Sequence, residues 1–206
     1  CGPAPREKAE HLCRFANLWR TTGDFWDDWN DLYQAFEICH QWEGVGGPGH
    51  WPDADMLPFG HLALRSTERG WGDRWTHFTQ DEQIALMTLW CLFRSPLMVG
   101  AELNDNDEFT LNLLTNDEVL ALLSESRNAR QVYREERYNY AGEVIVWQAE
   151  NEQGETYCAV FNCGPKARKL AVQLSSALGL EGAYTGRDLW AHEEIPVGRA
   201  LEVEVP

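Results

Sequence analysis

Two stretches decide the fold: Trp19-Arg20-Thr21-Thr22-Gly23-Asp24 and, further on, Gly47-Pro48-Gly49-His50-Trp51-Pro52-Asp53-Ala54-Asp55-Met56. Each reads as a short buried strand that stops abruptly in Gly, Pro and acidic residues. Strand ends that carry acids beside Arg and Trp are where α/β barrels keep their chemistry. Two such ends in one short chain point to a site built on carboxylates.

Working outward, the neighbouring segments alternate in the manner of a parallel α/β architecture. Residues 6–14 hold a short helical pattern after Pro5, and 16–23 follow as a strand. From Phe25 to Trp42 the apolar residues Trp29, Leu32, Tyr33, Phe36 and Cys39 form a helical stripe. Asp27 and Asp28 fall in its first turn, where the helix dipole favours acids, and Gly44 to Gly47 end it. A strand within 45–55 comes next, then a polar, Gly-rich loop over 58–78 whose Trp71 and Trp75 suit a pocket wall. Thr79-Gln80-Asp81-Glu82 is a capping box. The helix it opens, 80–93, is apolar nearly all round and therefore buried on more than one side. Pro96 to Gly100 reads as a third short strand, with helical stretches over about 107–114 and 116–125.

Near Asn128 the pattern changes to short alternating runs: Val144 to Trp147, Thr156 to Phe161, Leu170 to Leu174 and Leu201 to Val205. Turns at 151–154 and at Gly164-Pro165 separate them, the mark of an antiparallel sandwich. The expected organisation is α/β: part of a barrel over 1–128, then an antiparallel β domain over 129–206.

With 206 residues, 44% hydrophobic and 24% charged, the chain can bury a sizeable core. Its net charge of -16 argues against nucleic acid, whose phosphates demand a basic face, and against anionic membranes. No apolar run is long enough to span a bilayer. Ten Trp lean toward carbohydrate, whose rings stack on indoles, although core packing accounts for any single one. The opening Cys1-Gly2-Pro3-Ala4-Pro5 reads as the middle of a loop, so the sequence is expected to be a fragment. The six cysteines show no CxxC pair and no zinc spacing. Cys91 reads as a small core residue, and a Cys1–Cys13 bridge stays open.

Asp24 is the leading catalytic candidate. It ends a strand, four positions after Arg20, among Trp19, Phe25 and Trp26. A carboxyl group enclosed by aromatics loses hydration and keeps its proton to higher pH, as a general acid requires. Arg20 offers a fork of donors for sugar hydroxyls or a neighbouring carboxylate. An Arg-Asp ion pair at a strand end explains the same two residues.

These two stretches, together with Leu89-Trp90-Cys91-Leu92-Phe93-Arg94-Ser95-Pro96-Leu97-Met98, resemble the second half of a glycoside hydrolase of the α-galactosidase (melibiase) family, family 27. The likeness runs from about residue 15 to 125, with three motifs in order. It implies the second half of a (β/α)8 TIM barrel, strands six to eight, followed by a C-terminal antiparallel β-sandwich. It also implies retaining hydrolysis of α-linked terminal galactosyl or related sugars in an oligosaccharide or glycoside substrate, with no cofactor and no metal. By the resemblance Asp24 is the general acid/base, and Arg20, Asp53, Asp55 and Met56 line the sugar pocket. The family's nucleophile sits on the fourth strand, upstream of Cys1, so the fragment alone is expected to be inactive. An extracellular or periplasmic location is the family expectation.

Gly2 stands where many galactosidases carry a Glu. It leaves space and no acceptor in the specificity loop, so other sugars stay open. Where many relatives read Gly-Trp-Asn-Asp-Pro-Asp-Met, this chain has His50 and Trp51-Pro52-Asp53-Ala54, which leaves the local backbone open too.

The residues allow three further readings. Asp53 and Asp55 with His50 and His61 have the right atoms for a divalent cation but match no standard ligand spacing. Glu102, Asp105, Asp107 and Glu108 crowd a turn, where helix caps and solvated acids explain them as well as a substrate rim does. A non-catalytic carbohydrate-binding module would place its binding surface on the β domain, at Trp147 and Trp190.

Overall fold

The computed structural model describes residues 2–64, 72–135, 143–182 and 184–206. The chain divides into two compact units, Cys1–Asn116 and Asp117–Pro206.

In the first unit a 3-10 turn at Arg6–Lys8 leads into α1 (Ala9–Phe15), then β1 (Leu18–Arg20), α2 (Trp29–Gln41) and β2 (Trp51–Asp53). Strands β1 and β2 are parallel, with Leu18 opposite Trp51, Trp19 opposite Pro52 and Arg20 opposite Asp53. A parallel crossover needs a helix between its strands, and α2 supplies it. Asp28 caps α2 by accepting the Asn30 N–H at 2.8 Å, and Leu32, Ala35, Phe36 and Cys39 form its buried stripe. Gly44, at φ 70°, reverses the chain beyond it, a conformation that favours glycine.

After β2 comes a difference from the sequence reading. The segment expected as one long loop contains an antiparallel pair, β3 (His61–Leu62) and β4 (Arg74–Trp75). Trp71 lies outside the described residues. Helix α3 (Gln80–Phe93) has the expected bounds because its capping box is complete in both directions between Thr79 and Glu82. It ends at Arg94, whose φ of 61° breaks the helical path. Leu86, Met87, Leu89, Trp90, Cys91 and Leu92 along it are no more than 1% exposed. Each such large side chain stabilises the fold by about 1.5–3 kcal/mol. The strand expected over 96–100 is a single parallel bridge, Leu57 to Val99, held by Leu57 N–H to the Met98 carbonyl at 2.7 Å and Gly100 N–H to the Leu57 carbonyl at 2.9 Å. A short turn at Leu103–Asp105 and α4 (Glu108–Leu114) close the unit.

The second unit starts with two short helices, α5 (Asp117–Leu120) and α6 (Leu122–Glu125). Among the described residues seven strands follow: β5 (Arg127–Arg134), β6 (Val144–Glu150), β7 (Thr156–Asn162), β8 (Arg168–Gln173), β9 (Tyr184–Asp188), β10 (Glu193–Val197) and β11 (Ala200–Val205). These strands pair antiparallel: β5-β6-β7 in one sheet, β8 with β11, and β9 with β10. A π-helical turn at Leu174–Leu178 interrupts the strands. Val144, Val146, Val172, Leu174 and Leu178 form the core, with Val160, Leu170, Val197 and Leu201 packed against it. Strand β5 begins at Arg127, and packing assigns the two preceding helices to the second unit.

Cys13, Cys39, Cys91, Cys158 and Cys163 are free thiols, and Cys1 lies outside the described residues. Burial pushes the Cys91 and Cys158 thiols up to about 12, which keeps them protonated and unreactive. Among the described residues no helix is long and apolar enough to cross a membrane.

Candidate active site

The register of β1 and β2 sets Arg20 beside Asp53 at the carboxyl ends of two parallel strands. Beyond that point the chain stops being regular. Thr21 donates both its N–H (2.8 Å) and its hydroxyl (3.1 Å) to the Asp53 carbonyl. Asp53 itself is 2% exposed, and its Oδ1 accepts the Asp55 N–H at 2.8 Å. Burial raises its carboxyl above the ordinary range, opposed by that hydrogen bond and by the charge of Arg20. Asp53 was expected to line the pocket beside Asp55. The strand ends at Asp53, however, and Asp55 has φ 84°, so the two do not follow strand alternation. One carboxylate turns inward to hold the backbone of the other.

Asp55 is the centre of the arrangement. Its Oδ2 accepts Arg20 Nη2 at 2.7 Å and the Phe25 N–H at 2.7 Å. Trp90 Nε1 donates to its carbonyl at 2.9 Å, and Ser95 Oγ accepts the Ala54 N–H at 2.9 Å. Helix α3 and the residues after it therefore fix the turn from behind. Arg20 also donates to the Gly23 carbonyl and lies 3.6 Å from Asp24 Oδ1. Met56 packs on Gly100: a Cβ placed there would meet its Sδ at 2.5 Å.

Asp24 corrects the environment expected of it. Its carboxylate is 90% exposed. Phe25 and Trp19 are turned into the core, at 2% and 6%, so they do not enclose it. Phe25 packs on Trp90, ring centroids 5.0 Å apart. The aromatic neighbours anchor the loop and leave the acid open.

Two clusters join residues that the sequence reading treated apart. Asp27, expected to serve the helix dipole, is instead a buried partner of Arg74, which reaches it through Nη1 (2.6 Å to Oδ2) and Nη2 (2.7 Å to Oδ1). His61 sits between Asp105, whose Oδ2 is 2.5 Å from Nδ1, and Asp73 at Nε2, and stacks on Trp75 at 5.3 Å. Hydrogen bonds to Asp73 and Asp105 raise its imidazole above the ordinary value. His61 thus serves these two aspartates, which removes it from the metal reading with Asp53 and Asp55. In the β domain Trp147 is fully buried, so it is not available to stack on a sugar.

Residues 2–125, more than half of the chain, match the family model described as "Alpha galactosidase A", and residues 141–206 match "Alpha galactosidase C-terminal beta sandwich domain". The chain belongs to the α-galactosidase family, glycoside hydrolase family 27. Its fold is accordingly part of a TIM barrel followed by a β-sandwich. A family 27 β-L-arabinopyranosidase from Geobacillus stearothermophilus is 47% identical and superposes with a TM-score of 0.91, covering 99% of this chain and 46% of that one. An α-galactosidase from Oryza sativa is 30% identical over 204 residues, 93% of this chain and 42% of that protein. The fold is shared with the α-galactosidase of Saccharomyces cerevisiae solved with raffinose, at 21% identity and a TM-score of 0.61, covering 85% of this chain and 44% of that one. The family member thus spans less than half the length of these relatives.

Proposed function

We propose that this chain carries the acid/base side of a retaining glycosidase that releases a terminal sugar from a glycoside or oligosaccharide. The observation that carries the reading is the carboxylate of Asp55 held between Arg20 and the Phe25 N–H, one residue from the exposed Asp24. In a retaining reaction one carboxylic acid protonates the departing oxygen and then, as carboxylate, activates water against the glycosyl-enzyme intermediate. Asp24 has the exposure to reach a substrate. Its partner in such a reaction is a second carboxylate that acts as the nucleophile. That nucleophile, about 5–5.5 Å away in retaining enzymes, lies outside these 206 residues in our reading. Arg20, Asp55 and Met56 contact the sugar, and Asp53 supports Asp55 from beneath. The barrel part is taken to run to about residue 128.

The likeness to the arabinopyranosidase favours a second sugar. β-L-Arabinopyranose is α-D-galactopyranose without its hydroxymethyl group, so one pocket accepts either according to the room left at that carbon. The natural gene product that carries this chain should be assayed with the 4-nitrophenyl and the methyl glycosides of both sugars, the methyl glycosides having the poor leaving group, beside its Asp24→Asn variant. General acid/base catalysis contributes about 10²–10⁴-fold, so Asp24→Asn should lose that much on substrates with poor leaving groups. Full activity in this variant, or no hydrolysis of either glycoside by the unmodified protein, removes the reading.

A further inference from the structure

The loop that carries Asp24 is fastened on both flanks. On one side the Phe25 N–H is held by Asp55. On the other, Asp27 has a side chain only 3% exposed, and its carboxylate takes three hydrogen bonds: two from the Arg74 fork and one from the His77 N–H at 2.7 Å. The His77 ring lies nearby, Nδ1 at 3.3 Å. Helix α2 does not need this carboxylate, because Asp28 caps it and Asp31 accepts the Trp26 N–H. Asp27 is therefore a cross-link from the Asp24 loop to strand β4. Removing either partner leaves a buried charge without its counterpart, which is strongly unfavourable. Without the cross-link the loop has room to shift at Gly23, where no described residue lies within 4 Å of a would-be Cβ.

We propose that Arg74 is a positioning residue for the acid/base carboxylate: through its two-pronged hold on Asp27 it sets where Asp24 stands. This rests on the reading of Asp24 as the acid/base. Arg74 contacts no substrate; it acts through the backbone of residues 24–27. A displacement of about 1 Å costs on the order of 100-fold in a catalytic step, and a loss of that kind should follow the demand for acid catalysis. Substrates with good leaving groups need little protonation in the first step, but the glycosyl-enzyme then waits for a base to activate water. Azide, already an anion, attacks it without that help and accelerates turnover wherever the base is misplaced.

The test uses the natural gene product with Arg74→Ala, Arg74→Lys, Asp27→Asn and Asp24→Asn. The readouts are kcat/KM over aryl glycosides of rising leaving-group pKa and turnover in added azide. For Arg74→Ala and Asp27→Asn we expect losses of about 10- to 100-fold on poor leaving groups and under about threefold on the best. Azide should accelerate both. Lysine keeps the charge but loses the fork, so Arg74→Lys should fall between Arg74→Ala and the unmodified protein. An equal loss across all leaving groups without azide acceleration, or no loss, overturns the proposal. If Arg74→Ala fails to fold, Arg74→Lys and Asp27→Asn decide on the same readouts. Asp24→Asn separates the two levels. If it is inactive on poor leaving groups while the Arg74 and Asp27 variants behave as unmodified protein, only the positioning role is lost. If it stays active, or if the unmodified protein hydrolyses no glycoside, the acid/base reading goes and the positioning role with it.

Discussion

Arg20 and Asp55 meet across two adjacent strand ends, Nη2 to Oδ2 at 2.7 Å, with side chains 21% and 14% exposed. The same oxygen holds the Phe25 N–H. One carboxylate thus ties the arginine that approaches Asp24 to the backbone that follows Asp24, so Arg20 and the Asp24 loop share an anchor.

Asp55 also bears a backbone cost, since φ 84° is a region that side-chain-bearing residues avoid and that Asn and Asp tolerate best. Asp55→Ala should lose about 2–4 kcal/mol of stability, because charge-assisted hydrogen bonds contribute about 1.5–3 kcal/mol each and partial re-solvation returns some of it. Asp55→Asn should lose less, since it keeps an acceptor and suits the turn. Urea unfolding checks the order. An alanine variant as stable as the asparagine variant would show that the acceptor at this position contributes little.

Gly100 leaves the space that Met56 occupies. A Cβ there would lie 2.5 Å from Sδ and 3.3 Å from Cγ of Met56, so the thioether must swing away. Gly100→Ala is expected to raise KM by about tenfold, the scale of one methylene in a sugar or apolar pocket, with kcat little changed. A Met56→Ala variant gives the comparison. If Gly100→Ala changes kcat and not KM, Met56 is not a sugar contact.

The sequence made much of this legible, and the exceptions have physical causes. Helix α3 could be bounded to the residue because Thr79 and Glu82 form a local, self-sufficient cap. The two strand ends were visible in Gly, Pro and acid punctuation. Strands β3 and β4 were not, because two-residue strands are too short to show a period. For the same reason Pro96 to Gly100 read as a strand where only one bridge forms. Asp24 and Phe25 were placed together, but the direction of each side chain depends on tertiary anchors, Asp55 and Trp90, that lie far along the chain. Arg74 had no local signal at all: its partner is 47 residues away.

His61 gives a pH-dependent prediction in the first unit. Asp73 and Asp105 flank its ring and Trp75 covers one face, and together the carboxylates raise its pKa above the ordinary 6.5. A raised histidine contributes stability that is fully present below the unfolded value and is lost as pH rises through the folded one. The difference between the unmodified protein and His61→Gln should therefore be largest below pH 6.5 and shrink above it. Amide exchange at Thr76, whose N–H is bonded to the Gly60 carbonyl at 2.8 Å, reports on this hairpin. A difference that does not vary with pH would mean that the imidazolium contributes nothing to holding β3 and β4.

Glu118, in the second unit, predicts the opposite sign. Arg187 reaches it through Nε at 2.7 Å and Nη2 at 2.5 Å, and His192 Nδ1 lies at 2.8 Å. Hydrogen bonds from Arg187 and then His192 lower its carboxyl from 4.5 to about 2. A lowered acid contributes stability that is present above the unfolded value and disappears as pH falls through the folded one. The stability difference between the unmodified protein and Glu118→Gln should therefore be constant above pH 4.5 and vanish toward about 2. Using the difference cancels the general acid sensitivity of a chain with net charge -16. Arg187→Ala should reproduce the effect, because it removes the fork that ties β9 to α5 while leaving the carboxyl in place. Urea midpoints of the three proteins across this range decide it; a Glu118→Gln difference that persists at the acid end would assign the residue's contribution to packing and not to its charge.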